Sequence, residues 1–199
     1  MSPRLHHHRV KNNFEIISSI LDLASMDTEN QEVKDIILSS RTRIHAMASI
    51  HTQLYQSDLF NRIEMAKHVR NFTEHLQYLY DSGNKITVVT EPSDVYLSLN
   101  QAIPCALIFN ELITNSLKYG FENREQGTIL ISIHNTDDDK VLLRVKDDGV
   151  GIPGDPDIES TSGFGLELVK HLAMGQLKGT MQISNHDGTN ISIEFKRLK

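Results

Sequence analysis

The chain reads as two units in series, an all-α helical hairpin over residues 1–59 and an α+β sandwich over residues 60–199. Three observations predict this. Apolar residues recur at alternating spacings of four and three over residues 10–24 and again over 33–54, the stripe of a packed helix pair. The segment QSDLFN, 56–61, breaks that rhythm. Beyond it, β-branched stretches of period two are interspersed with helical ones, and helices segregated from an antiparallel-leaning sheet make an α+β unit.

Taken in order, the first helix carries Val10, Phe14, Ile17, Leu21 and Ala24 on one stripe. The second carries Val33, Ile37, Ser40, Ile44, Met47, His51 and Leu54. The short polar link near Met26–Asn30 fits an antiparallel hairpin. Ile16, Ile20, Leu23, Ile36 and Ile50 widen the apolar faces beyond what one hairpin covers. Two hairpins from two chains would cover them as a four-helix bundle; the alternative is a hairpin packed on its own C-terminal unit. Met65, Val69, Phe72, Leu76 and Leu79 mark a third amphipathic helix. KITVVT (85–90) is a strand by β-branched content, VYLSL (95–99) a short one, and residues 101–119 an apolar helix. TILISIHN (128–135) and KVLLRVKD (140–147) alternate around DDD as a β-hairpin does. A Gly/Pro-rich loop leads to a helix from about Gly165 to Met174, and strands near 178–185 and 189–197 turn at His186–Gly188, where DG is a turn signal.

Composition narrows the function classes. At 199 residues and 39% hydrophobic, the chain can bury a substantial core. It has no run of about 18 apolar residues that would span a membrane and no apolar stretch of a signal peptide. A cytoplasmic location is expected for this part of the protein, with a sensory or membrane segment possible upstream. The net charge of −6 argues against nucleic acid as a main partner. Cys105, the single cysteine, lies in the apolar run AIPCALIF and is expected as a buried free thiol in a reducing compartment.

The residues that carry chemistry cluster in the second unit. In NELITNSLKYGF (110–121), Glu111, Asn115 and Lys118 share one helical face. A carboxylate, a carboxamide and an ammonium stacked there suit a magnesium–phosphate group, the amide oxygen being a hard ligand and the lysine balancing phosphate charge. A solvated polar face would look the same in isolation. VKDDGVGIP (145–153) then closes a strand with Asp-x-Gly-x-Gly. Its glycines let backbone approach a flat ligand, and Asp147 can accept a hydrogen bond from an exocyclic amine such as adenine's. SGFGLELVKHLA (162–173) puts Gly163 and Gly165 at a helix start, where free N–H groups attract phosphate. Three complementary elements in this order are a specific signal.

Residues 62–199 resemble the ATP-binding domain shared by sensor histidine kinases, DNA gyrase, mismatch-repair ATPases and heat-shock chaperones of that fold, with its N, G1 and G2 boxes in order. The resemblance implies ATP and Mg²⁺ as cofactors, with Asn115 ligating Mg²⁺ and Lys118 contacting phosphate. It implies Asp147 on the adenine amine, Gly149 and Gly151 lining the base pocket, and Gly163 and Gly165 starting the phosphate-facing helix, followed by Leu166. Tyr119 stands at the N-box position held by histidine in the related HWE kinases, and Thr189 resembles a threonine that supports Asp147 through water. The stretch between Gly151 and Gly163 would be a short ATP lid.

The first helix opens with LHHHRVKNNFEIISSIL (5–21). HHRVKNNFEIISSILDLAS resembles the phosphoacceptor box of the second-type HisKA group of histidine kinases, kin of the HWE kinases. The W-x-E feature of the latter is missing, since the chain has no Trp. Extending the 10, 14, 17, 21 stripe backward puts His7 on the seam and His8 on the flank, where a nucleophile can meet ATP held by another unit. Family likeness picks His8 as well. As metal ligands, adjacent helical residues point about 100° apart and share an ion poorly; a residual affinity tag would explain His6 at most. The implied reaction is ATP-dependent autophosphorylation of His8 and transfer to an aspartate on a response-regulator receiver domain. The implied assembly is a homodimer through the hairpin. Arg9 follows His8 where common histidine kinases have an acidic residue, so Glu111 is the expected proton-accepting or orienting group. Two rival classes use the same ATP boxes, an ATP-gated conformational ATPase and an anti-sigma-type serine kinase, but neither has a use for HRVKNN.

Overall fold

A computed structural model describes residues 3–56, 62–80, 85–122, 124–136, 139–152 and 164–198. Helices α1 (Pro3–Met26) and α2 (Gln31–Gln56) form the hairpin. At the start of α2, Asn30 accepts the Glu32 and Val33 backbone N–H groups on its side-chain oxygen at 2.9 and 3.4 Å, so the link ends in a helix N-cap. Asp22 pairs with Arg41 at 2.8 Å and the Phe14 ring meets that of His51, which fixes the antiparallel register.

The second unit begins with β1 (Arg62–Glu64), α3 (Met65–Tyr80), β2 (Ile86–Thr90) and β3 (Tyr96–Ser98). Then come α4 (Leu99–Asn115), β4 (Gly127–Thr136), β5 (Lys140–Asp147), α5 (Phe164–Lys170), β6 (Thr180–Ser184) and β7 (Asn190–Lys196). β1 and β3 form a small antiparallel pair, while β2-β4-β5-β7-β6 make the main sheet. The main sheet is mixed: β2 runs parallel to β4, and the other pairs are antiparallel. Strict alternation along β5 and β7 sends Val141, Leu143, Val145, Ile191, Ile193 and Phe195 into the core. There they meet Phe72, Leu76, Ile108, Phe109, Val169 and Leu172 from the helices. The DG turn is left-handed at both positions, with φ of 52° at Asp187 and 100° at Gly188.

Three features depart from the sequence reading. β1 precedes α3 where a helix alone was expected, and α4 and α5 each end in a π-helical turn, over Ser116–Gly120 and His171–Gln176. The third concerns α2, which has two packed faces. One faces α1, as the heptad stripe predicts. The other sends Ala46 and Ile50, both fully buried, into the same core cluster as α3 and α4. The hairpin therefore does pack on its own C-terminal unit, the alternative noted above. That packing uses Ile50 but leaves Ile16, Ile20, Leu23 and Ile36 between 57% and 64% exposed. The expected boundary QSDLFN falls almost wholly on 57–61, outside the described residues. Cys105 is a buried free thiol, and burial pushes its pKa up. No described helix is long and apolar enough to cross a membrane.

Candidate active site

Asp147 ends β5 and is 2% exposed, an unusual place for a carboxylate unless it is fully hydrogen-bonded. Its Oδ2 accepts the Ser116 hydroxyl at 2.6 Å. Its Oδ1 accepts the backbone N–H groups of Gly149 and Thr189, each at 3.0 Å. These three donors hold the carboxylate in one orientation and leave oxygen lone pairs for a further donor. Thr189 thus supports Asp147 directly through its backbone N–H.

The G1 glycines are required by close approach. A Cβ on Gly149 would sit 2.1 Å from the Gly120 carbonyl oxygen, and Val150 N–H donates to that same oxygen at 2.7 Å. The end of the N box and the Asp-x-Gly-x-Gly loop are therefore in backbone contact. Gly151 adopts φ of 77°, and the next residue is fixed by Asn185: Ile152 N–H donates to Asn185 Oδ1 at 2.8 Å, and Asn185 Nδ2 donates to the Ile152 carbonyl at 2.7 Å. This clasp secures the chain where the expected lid begins.

The phosphate end is assembled by α4 and α5. Gly165 lies so close to α4 that a Cβ there would meet Glu111 Oε2 at 2.8 Å and Asn115 Nδ2 at 3.6 Å. The structure therefore brings Glu111 and Asn115, two of the three residues expected on one helical face, against Gly165. Gly163 and the stretch 153–163 lie outside the described residues. Lys118 places its Nζ 5.1 Å from the centre of the Tyr80 ring, a cation–π contact, and Tyr119 is exposed. Leu166 lies in the core cluster. Burial raises the Tyr80 hydroxyl pKa to about 12, so this ring stays neutral beside the lysine.

Glu111 is engaged from another element. Arg43 of α2 donates from Nε to Oε1 at 2.8 Å and from Nη2 to Oε2 at 2.7 Å, and Asn110 Nδ2 adds a bond to Oε1 at 2.7 Å. The hydrogen bond to Glu111 pushes the Arg43 pKa further up, leaving a permanent cation. Sequence reasoning missed Arg43, Ser116 and Asn185. Only Ser116 had a local signal, adjoining Asn115 in the same motif. His8 lies in the first turns of α1, where the structure gives its helical backbone position.

Comparison with known proteins agrees with this geometry. Residues 6–80 match a family model described as histidine kinase, and residues 100–199 match the histidine kinase-, DNA gyrase B-, and HSP90-like ATPase family. The sensor histidine kinase PdtaS of Mycolicibacterium smegmatis is 24% identical over 176 residues, 88% of this chain and 35% of that protein. This chain thus corresponds to about a third of that relative's length. The Bacillus licheniformis anti-sigma F factor is 30% identical, but over only 73 residues, 37% of this chain, too few to include both units. The histidine kinase domain of the Erythrobacter litoralis EL346 blue-light activated histidine kinase has the same fold, with a TM-score of 0.72 at 19% identity over 91% of this chain and 95% of that one. The ATP-binding geometry and the match over residues 100–199 identify the chain as a member of the histidine kinase-, DNA gyrase B-, and HSP90-like ATPase family.

Proposed function

We propose that the chain transfers the γ-phosphoryl group of ATP to His8 and then passes it to an aspartate on a response-regulator receiver domain. The observation that carries this is the convergence of Asn115, Glu111, Gly165 and the Asp147 network on the same chain as HHRVKNN. Asp147 accepts the adenine amine, Gly149 and Gly151 admit the flat base, and the start of α5 faces the phosphates. Asn115 fits a magnesium ion, because it sets a hard amide oxygen beside the glycine-opened helix start. Bound there, the ion would neutralise phosphate charge. Lys118 completes the neutralisation by turning from the Tyr80 ring.

In the transfer, a neutral His8 ring nitrogen attacks the γ-phosphorus in line. The N–P bond forms as the bond to the β-phosphate oxygen breaks, and ADP departs with that electron pair. The imidazole proton passes to Glu111 or is oriented by it. Catalysis is mainly positioning and charge neutralisation. Residues 1–59 serve as the dimerising phosphoacceptor hairpin and 60–199 as the ATP-binding unit, in a homodimer that works in the cytoplasm downstream of a sensory segment.

The test is incubation with γ-labelled ATP and Mg²⁺. Label should be acid-labile and base-stable, vanish with His8→Gln, and persist with His7→Gln and His6→Gln. Label that survives all three substitutions would falsify the assignment of this segment.

A further inference from the structure

The Arg43–Glu111 pair joins the hairpin to the site. Arg43 and Glu111 are 19% and 5% exposed, and the two parallel bonds are the fork geometry in which guanidinium and carboxylate fix each other's orientation. The same guanidinium lies over the Phe164 ring, 4.9 Å from its centre, at the first residue of α5. One side chain of α2 therefore holds both helices that build the phosphate end. Meanwhile Glu111 already accepts two hydrogen bonds on Oε1 and one on Oε2, so its carboxylate is oriented toward α2 while the pair is closed.

The level of this contact along the hairpin matters as much as its chemistry. The Asp22–Arg41 pair and the Phe14–His51 rings place Arg43 opposite approximately residue 21 of α1. His8 lies thirteen residues nearer the start of the same helix, roughly 20 Å away at the helical rise per residue. In-line attack needs the reacting atoms within about 3.5 Å. A parallel second copy would carry its own His8 at that same level, so neither chain's histidine is opposite the site.

We propose that Arg43 is a latch: it clasps the ATP-binding unit to α2 in a resting arrangement, and phosphoryl transfer to His8 requires the Arg43–Glu111 pair to open. This rests on the phosphoacceptor role given to His8. Opening frees the carboxylate and lets the ATP-binding unit travel along the hairpin in a single event.

The test uses the whole chain with Arg43→Ala and Arg43→Gln, the second keeping size and a donor should the first fail to fold. Nitroxide labels on Ser19→Cys and Met174→Cys report the separation of α1 from the end of the π-turn after α5; Cys105 is fully buried and stays unlabelled. The latch predicts a shifted, broader distance distribution and an initial rate of histidine labelling raised about fivefold or more, with nucleotide affinity unchanged. A distribution superimposable on the parent's overturns the clasp. A shifted distribution with labelling unchanged or slower overturns the resting-state role, because Arg43 would then be positioning the productive site. Failure of the His8 reading is separately visible, as a parent chain whose label survives His8→Gln.

Discussion

At the scale of single residues, Asp147 shows how a buried carboxylate becomes a recognition element. It accepts one hydroxyl and two backbone N–H groups, so its remaining acceptor capacity points one way. Asp147→Asn replaces an acceptor by an amide whose N–H₂ must face at least one existing donor. Nucleotide titration should show affinity weakened about tenfold or more, a charged hydrogen bond contributing about 1.5–3 kcal/mol. Ser116→Ala removes one support and should lower stability by about 1 kcal/mol in denaturant unfolding, with a smaller loss of ATP affinity. Asp147 and its glycines were legible in sequence because they form one contiguous motif after an alternating strand. Arg43 was not: its partner is 68 positions away, and no local period or composition marks a pair made only by tertiary packing.

At the scale of elements, the joint between α2 and α3 is lined by histidines. His68 is fully buried with Nδ1 3.3 Å from the Ser49 hydroxyl, while the His45 and His75 rings stack with centroids 4.2 Å apart. Burial lowers the His68 pKa to about 4, with neighbouring His45 adding to the effect, and desolvation also lowers His45 and His75. These groups fold neutral and protonate more readily when unfolded. Their contribution is therefore complete above the ordinary histidine pKa of 6.5 and is lost as pH falls from there toward 4. His68 alone accounts for about 3 kcal/mol over that window, at 1.36 kcal/mol per pKa unit. Thermal melts should shift downward between pH 7 and pH 5, and His68→Gln should flatten that dependence; a parent melting curve independent of pH would contradict it. Among the elements themselves, the helices and long strands were readable from periodicity. β1 has only three residues, too few to show a period, and the parallel pairing of β2 with β4 depends on an edge choice that neither strand encodes.

At the scale of the whole molecule, the open stripe of Ile16, Ile20, Leu23 and Ile36 is the face on which a second hairpin would sit. Light scattering should give a dimer for residues 1–199, and Ile20→Glu with Leu23→Glu should give a folded monomer. The fragment 60–199 should run as a monomer and still bind ATP. It should also melt lower than the whole chain, since Ala46 and Ile50 belong to its core cluster. The packing of α2 on the second unit was not legible in the sequence, because a heptad stripe reports one face of α2 and is blind to the other. That second face has a consequence for how a signal would travel. A helix buried on two sides is a shared wall between rooms, and pushing it from either room moves it in both. A change in how α1 sits on α2 would reach the ATP-binding unit without crossing a linker. Phe14→Ala, on the far side of the wall, should therefore alter amide exchange at Ile108–Ile113 of α4.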